Sequence, residues 1–468
     1  MSTATAAASS SPAARSTNSS ATISGAAPRS SSCPLWVRAS AIRASSCSGV
    51  AVTAIDFEQL VQPHRVHRRL YTDPEIFGLE MTRVFAASWC YVGHESEIPE
   101  PGDYRTTTLG LRPVLMTRGR DGGINVLLNR CAHRGTVIAG EERGCAKRFV
   151  CPYHGWTYSP DGRLVAIPFP ADHPVEDYST LSLGRLEATS YRGFVFATLN
   201  ADPEPLECWL GEAREALDTI IDRHPGGEMA VMGSPQLLEF AGNWKLSWDN
   251  AADGLHATFA HHSYNTLGET VDVETVLARD PGSTPMVSKA LRNGHMVVDQ
   301  RPGIPQGPWA TMRDVPFREP LESTLAEAGA NELLDLATGS MLNLSLFPNL
   351  IFVGNQLLVV EPVAVDRTRL QLWLTSAPGA PPEIDLLRLR VDEDFVNFGT
   401  PDDLDMFERV QRGLSIPEME WIDMSRGLPD DSTADGSVYG PITSEAPQRR
   451  YLAHYAEMMT TPAKTRAL

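Results

Sequence analysis

Two short stretches decide how this chain is read: "NRCAHRGTV" at Asn129–Val137 and "VCPYHGWTY" at Val150–Tyr158. In the first, one residue separates Cys131 from His133; in the second, two residues separate Cys151 from His154. Neither pair has the look of core packing. Thiolates and imidazoles offered from two tight loops can hold a four-ligand metal site.

Structural zinc is the first metal to weigh, but zinc ligand pairs usually leave a wider gap than Cys-x-His. A [2Fe–2S] cluster in which two histidines replace two cysteines fits better. Cys131 and Cys151 would hold one iron, and His133 and His154 the other, the Rieske arrangement. Neutral imidazoles make such a cluster less negative than an all-thiolate one, which raises its potential. Gly135 and Gly155 are read as letting the backbone approach the cluster.

Outward from these loops, Tyr91 to about Asn200 consists of short β-rich runs such as "RPVLMTR", "INVLLN", "RFVCPY" and "RGFVFATLN", divided by Gly, Asp and Pro turns. That texture predicts a small all-β domain, placed at 89–204. Before it, "DPEIFGLEMTRVFAASW" (Asp73–Trp89) has helical spacing, within an N-terminal helical segment at 53–88. After it, 205–468 is read as a larger domain. "LECWLGEAREALDTIID" (Leu206–Asp222), "NWKLSWDNAADGLHATFAHHS" (Asn243–Ser263), "PEIDLLRLRVDEDFVNF" and "PDDLDMFERVQRGL" read as helical. "LIFVGNQLLVVEPVAVDRTRLQLWLTS" (Leu350–Ser376) reads as two or three antiparallel strands. The fold class is α+β: a small all-β domain beside an antiparallel sheet flanked by helices in a helix-grip-like arrangement.

A net charge of −18 argues against nucleic acid or an anionic membrane as partner. Seven cysteines in 468 residues form no disulfide framework, which suits a metal site in a reducing, cytoplasmic setting. The uncharged run Met341–Val360 is interrupted by Pro348 and Gly354 and reads as buried strands, not a membrane span. Residues 1–52 stand apart. The first fifty hold 15 Ser, 12 Ala, four Arg and no acid, a composition expected to be disordered. A tail, an early start and an organelle transit peptide are all compatible with it.

"CAHRG…CPYHGW" resembles the cluster motif of the Rieske non-haem iron aromatic-ring-hydroxylating oxygenases. The likeness runs from roughly Phe57 to Arg450. The two extra cysteines of respiratory-chain Rieske proteins are absent: Thr136 and Tyr153 stand in their places. An oxygenase needs a second centre, and two imidazoles with one carboxylate make the facial triad of non-haem Fe(II) enzymes. The family pattern Asp-x2-His-x4-His matches Asp253, His256 and His261, passing over His262. On a regular helix His256 and His261 would lie about 140° apart, so the helix has to bend or break. The resemblance places the carboxylate ligand in "TPDDLDMFE", favouring Asp403 over Asp402 and Asp405; helix capping is the alternative role for Asp402 or Asp403.

The resemblance also implies that Asp253 is catalytic without binding metal. It would support His256 through the imidazole's second N–H and bridge to His154 of a neighbouring subunit in a homotrimer or α3β3 hexamer. "CYVGHESEIPEPGDY", "YRGFVFATLN", "NWKLSWDNAADGLH" and "DMSRG" are similar to large subunits acting on benzoate, anthranilate, salicylate or terephthalate. The implied substrates are an aromatic carboxylate and O2. No nicotinamide or flavin fingerprint is present, so NADH would act through a separate reductase, with or without a ferredoxin. Arg292, Arg409 and Arg412 are candidates by position for holding the substrate carboxylate. A Rieske monooxygenase or demethylase on another substrate, and a zinc-stapled binding protein, are the competing readings.

Overall fold

The strands "RPVLMTR" (Arg112–Arg118) and "INVLL" (Ile124–Leu128) are joined by a turn in which Gly119 N–H bonds Gly123 O and Asp121 caps Gly123 N–H. Gly122, at φ +80°, supplies the left-handed step such a tight connection needs. They belong to a four-stranded antiparallel sheet ordered Ile124–Leu128, Arg112–Arg118, Asp103–Leu109, Arg143–Cys145. Two three-stranded sheets complete the β module. One pairs Leu164–Ala166, Thr157–Tyr158 and Phe149–Val150; the other pairs Glu187–Tyr191, Phe194–Thr198 and Cys90–His94. This is a computed structural model, and it describes residues 55–173, 177–261, 286–303, 309–311, 314–434, 437–461 and 463–466. The extension expected at 1–52 lies outside them, as does His262.

The larger part of the chain is built on a nine-stranded antiparallel sheet. Its order is Ala230–Phe240, Arg367–Ser376, Gln356–Ala364, Leu350–Val353, Leu342–Leu346, Met296–Asp299, Val287–Ala290, Ser437–Pro441, Ser432–Ala434. The apolar run around Met341–Val360 therefore forms central strands, buried because neighbours cover both faces. Helices flank the sheet. In Ala446–Thr460 the buried Tyr451, Leu452, Tyr455, Ala456 and Met459 recur at helical spacing and make one apolar stripe. Among the described residues no helix is long and apolar enough to cross a membrane.

Two helical expectations need correction. Leu206–Asp222 is two helices, Leu206–Leu210 and Ala213–Ile221, because Gly211 turns the chain at φ +51°. Asp73–Trp89 is helical only over Pro74–Arg83, opened by the Asp73 side chain on Glu75 N–H and by Pro74.

The β module is tied to the sheet by buried polar groups. The Arg105 guanidinium bonds Glu97 at 2.9 Å and Gln371 at 2.8 Å, and lies 4.5 Å over the Trp373 ring. Thr108 donates to Glu361 at 2.8 Å. The helix Trp244–Ala251 is pinned just as firmly. Glu80, 0% exposed, accepts from Lys245 at 2.5 Å, Trp244 Nε1 at 2.8 Å and Tyr455 OH at 2.7 Å. One turn further on, Asp249 accepts from Tyr71 OH at 2.8 Å and from Tyr451 OH. These bonds fix the element from which the second metal site is built.

Candidate metal centres

The two cysteine loops are the same turn made twice. Cys131 N–H bonds Thr136 O at 2.8 Å and Gly135 N–H bonds Cys131 O at 2.9 Å; Cys151 N–H bonds Trp156 O at 2.7 Å and Gly155 N–H bonds Cys151 O at 3.0 Å. Each turn closes through a glycine at positive φ, +79° and +70°. That torsion by itself demands glycine at 135 and 155. Asn129 braces the first loop, accepting from Ile138 and Ala139 N–H at 3.0 Å and donating to Ala139 O at 2.8 Å.

The turns bring Cys131, His133, Cys151 and His154 together. The His133 and His154 rings lie 4.6 Å apart between centroids, and His133 stacks on Trp156 at 4.9 Å and 4°. Both cysteines are buried and unpaired. Burial raises the Cys151 thiol, but the Tyr153 and His154 backbone N–H groups and neighbouring Cys131 outweigh it and bring its pKa below the ordinary value. Burial, with His154, Arg134 and His173 nearby, lowers the pKa of the His133 ring. Its Nδ1 is buried without a partner. Two buried thiols, two adjacent imidazoles and an orphaned ring nitrogen fit a Rieske cluster. Tyr158, in the same quoted stretch, was not singled out from sequence. Its hydroxyl lies 3.3 Å from Cys131 Sγ and accepts Ala132 N–H at 3.2 Å, so it can donate to the sulfur.

At the second centre the helix Trp244–Ala251 ends, Asp253 turns the chain, and a short turn His256–Phe259 follows. His261 lies beyond the end of that turn, which removes the difficulty a regular helix would pose: the two rings come within 5.1 Å. Opposite them, "PEIDLLRLRVDED" runs as helix Pro382–Asp394, widens into a π-helical turn at Phe395–Gly399, and continues as helix Thr400–Leu414. Asp403 projects from its first turn. Asp403 Oδ1 lies 3.3 Å from His261 Nε2 and 3.5 Å from His256 Nε2, and one ligand atom from each residue falls within 4.8 Å of the others.

Burial pushes the Asp403 carboxyl up to about 6, although His256 and a hydrogen bond from Asn250 oppose the shift. Burial, then the neighbouring His256, pushes His261 down to about 4. Two imidazoles beside a buried carboxylate whose Oδ1 has no hydrogen-bond partner are a donor set that a divalent cation completes. Asn250 joins the set unannounced by any spacing: its Nδ2 lies 3.3 Å from His256 Nε2.

Asp253 is placed differently from expectation. The N–H that its carboxylate was expected to take, His256 Nδ1–H, goes instead to the main-chain carbonyl of Asp253. The carboxylate Oδ1 accepts Leu255 N–H at 2.8 Å and His256 N–H at 3.3 Å, and Oδ2 pairs with Arg426 at 2.6 Å. A short side chain at the mouth of a turn reaches its own downstream N–H groups before it reaches a ring. Arg426 in turn approaches Glu445 at 3.5 Å.

Of the rival carboxylates, Asp405 pairs with Arg409 at 2.6 Å, and Asp402 faces the other nitrogen of His261. None of the three candidate arginines turns to the site. Arg292 is exposed and pairs with Glu204 at 2.8 Å, and Arg409 is taken by Asp405. Arg412, nine residues after Asp403, lies on the opposite face of the helix at about 100° per residue.

Comparison with known proteins places both parts of the chain in one family. Residues 88–179 match the Rieske [2Fe-2S] domain, and residues 210–461 match the catalytic domain of the ring hydroxylating alpha subunit. The chain is 34% identical over 387 residues to toluate 1,2-dioxygenase subunit alpha of Pseudomonas putida, covering 78% of this chain and 82% of that one. It is 33% identical to the anthranilate 1,2-dioxygenase large subunit of Acinetobacter baylyi, covering 80% and 82%. A solved structure of naphthalene 1,2-dioxygenase with indole bound superposes with a TM-score of 0.74 at 23% identity, over 87% of this chain and 95% of that one. The chain belongs to the family of ring-hydroxylating oxygenase alpha subunits, enzymes with a Rieske [2Fe–2S] cluster and a mononuclear iron.

Proposed function

We propose that this protein is the terminal oxygenase of a multicomponent system that hydroxylates or cis-dihydroxylates an aromatic carboxylate. NADH-derived electrons reach it from a separate reductase, directly or through a ferredoxin, in the cytoplasm. The observation that carries the substrate class is the likeness, over most of the chain, to two large subunits whose names specify toluate and anthranilate.

In this reading Cys131, His133, Cys151 and His154 hold the cluster, and His256, His261 and Asp403 hold ferrous iron. When bound, the cluster supplies single electrons and the iron supplies open positions at which O2 is activated. The protein's own groups prepare both centres. Burial lowers the pKa of His133 and pushes His261 down to about 4, which favours the unprotonated rings that ligate. The Asp253 main-chain carbonyl holds the proton of His256 on Nδ1 and leaves Nε2 toward Asp403. Asn250 steadies His256 and Asp403 from one side. Asp253, half-buried, is assigned the bridge to His154 of the partner subunit in a trimeric ring, with Arg426 balancing its charge.

The test is product analysis. The purified oxygenase, a reductase of the same class, NADH and isotopically labelled O2 are incubated with a panel of benzoates. Label entering the ring of an aromatic acid supports the reading. Oxidation confined to amine substrates, with no aromatic acid turned over, rejects it.

A further inference from the structure

On the helix Thr400–Leu414, two consecutive carboxylates face one imidazole. Asp403 Oδ1 lies 3.3 Å from His261 Nε2, and Asp402 Oδ2 lies 3.7 Å from His261 Nδ1. Neighbours on a helix project about 100° apart, so a single ring meets both only by lying edge-on across the start of the helix. His261 is 3% exposed, with the Phe395 ring 5.7 Å away. Its Nδ1 and the Asp402 Oδ2 are both buried, and neither has a hydrogen-bond partner. Leaving such groups unpaired costs about 1–3 kcal/mol each, and they face one another a few tenths of an ångström beyond bonding distance.

We propose that Asp402 is the positioning residue for His261, its Oδ2 accepting the Nδ1–H once the site is loaded. This rests on His256, His261 and Asp403 holding the iron. The bond fixes the tautomer that leaves Nε2 free and turned toward Asp403. It also restrains rotation of a ring that sits just past the end of its own helical turn. Asp402 is not itself a ligand, because Asp403 meets both histidines at Nε2 while the Asp402 carboxylate lies on the Nδ1 side of His261. The two histidines are thus held by different means: His256 by a main-chain carbonyl, His261 by a carboxylate on the opposing helix.

The experiment measures ferrous-iron affinity of the full-length enzyme by anaerobic chelator competition, with the visible spectrum of the cluster as an internal control. Loss of such an outer partner typically weakens metal binding by about 10–100-fold, the loss expected for Asp402→Ala. Asp402→Asn keeps an oxygen acceptor and is expected to hold iron within about threefold of wild type. Asp405→Ala, which removes a nearby charge that does not face His261, should leave affinity unchanged. Wild-type affinity in Asp402→Ala overturns the proposal. So does Asp402→Asn falling as far as Asp402→Ala, since charge and not hydrogen bonding would then be at work. Complete loss of iron in both variants would make Asp402 a ligand and overturn it as well. Failure of the site itself looks different: Asp403→Ala and His256→Ala would then keep their iron.

Discussion

Asp253 offers the sharpest test, because its carboxylate and its main chain do different things. Asp253→Ala removes two hydrogen bonds to the Leu255 and His256 N–H groups and the 2.6 Å partner of Arg426. Cap-type bonds from main-chain N–H groups to a partly exposed carboxylate contribute about 1 kcal/mol each, and an ion pair with hydrogen bonding about 1.5–3 kcal/mol. Arg426 is 30% exposed and keeps Glu445 at 3.5 Å, so the charged term is discounted for solvent screening. The expected loss is about 2–4 kcal/mol, concentrated in the turn that carries His256. Asp253→Ala should therefore shed part of its mononuclear iron while keeping the cluster. Asp253→Asn keeps an oxygen for the two N–H groups and loses only the charge; it should fall by no more than about 1–2 kcal/mol and retain both metals. Urea denaturation, metal analysis and the Rieske EPR signal measure these effects. If Asp253 is the inter-subunit bridge, pre-reduced Asp253→Asn should show a filled cluster that fails to reoxidise in a single turnover. Wild-type reoxidation in that variant refutes the bridge, and wild-type stability in Asp253→Ala refutes the account of the turn.

Tyr158→Phe removes the hydroxyl 3.3 Å from Cys131 Sγ and should lower the cluster's midpoint potential without losing it, as redox titration would show; an unchanged potential means the hydroxyl does not donate to the sulfur. Lys245→Met leaves Glu80 buried without its cation and should cost about 3–5 kcal/mol in chemical denaturation, part of it recovered in the double variant with Glu80→Gln. Burial holds the Asp249 carboxyl at about 7 in the folded protein, against its bonds from Tyr451 and Tyr71 and the charge of Lys245. The folded state then binds this proton more tightly than the unfolded chain, and the stability from it is lost as pH rises from about 4 through 7. Asp249→Asn should remove that part of the slope, read as the difference between variant and wild-type urea midpoints at pH 5 and pH 7.5.

The cluster loops were legible in the sequence because each is local. Cys, His and Gly sit within one hydrogen-bonded turn, so spacing along the chain is nearly spacing in space. The central strands were legible for the same reason, as apolar runs long enough to need neighbours on both faces. The break at Gly211 was not, since a glycine within a helical pattern does not announce its torsion. Distance along the chain decided the rest. Asp403 meets His256 and His261 only because the helix Thr400–Leu414 packs against Trp244–Ala251, where Gln411 accepts from Asn243 N–H at 3.0 Å. Sequence could not tell that Asp253 spends its carboxylate on a turn and on Arg426, that Tyr158 and Asn250 reach the two centres, or that Asp402 faces His261 Nδ1. Residue type fixes what a side chain can donate or accept. Which partner it meets depends on how buried groups across the fold satisfy one another, and that is decided only when the helices and sheet close around them.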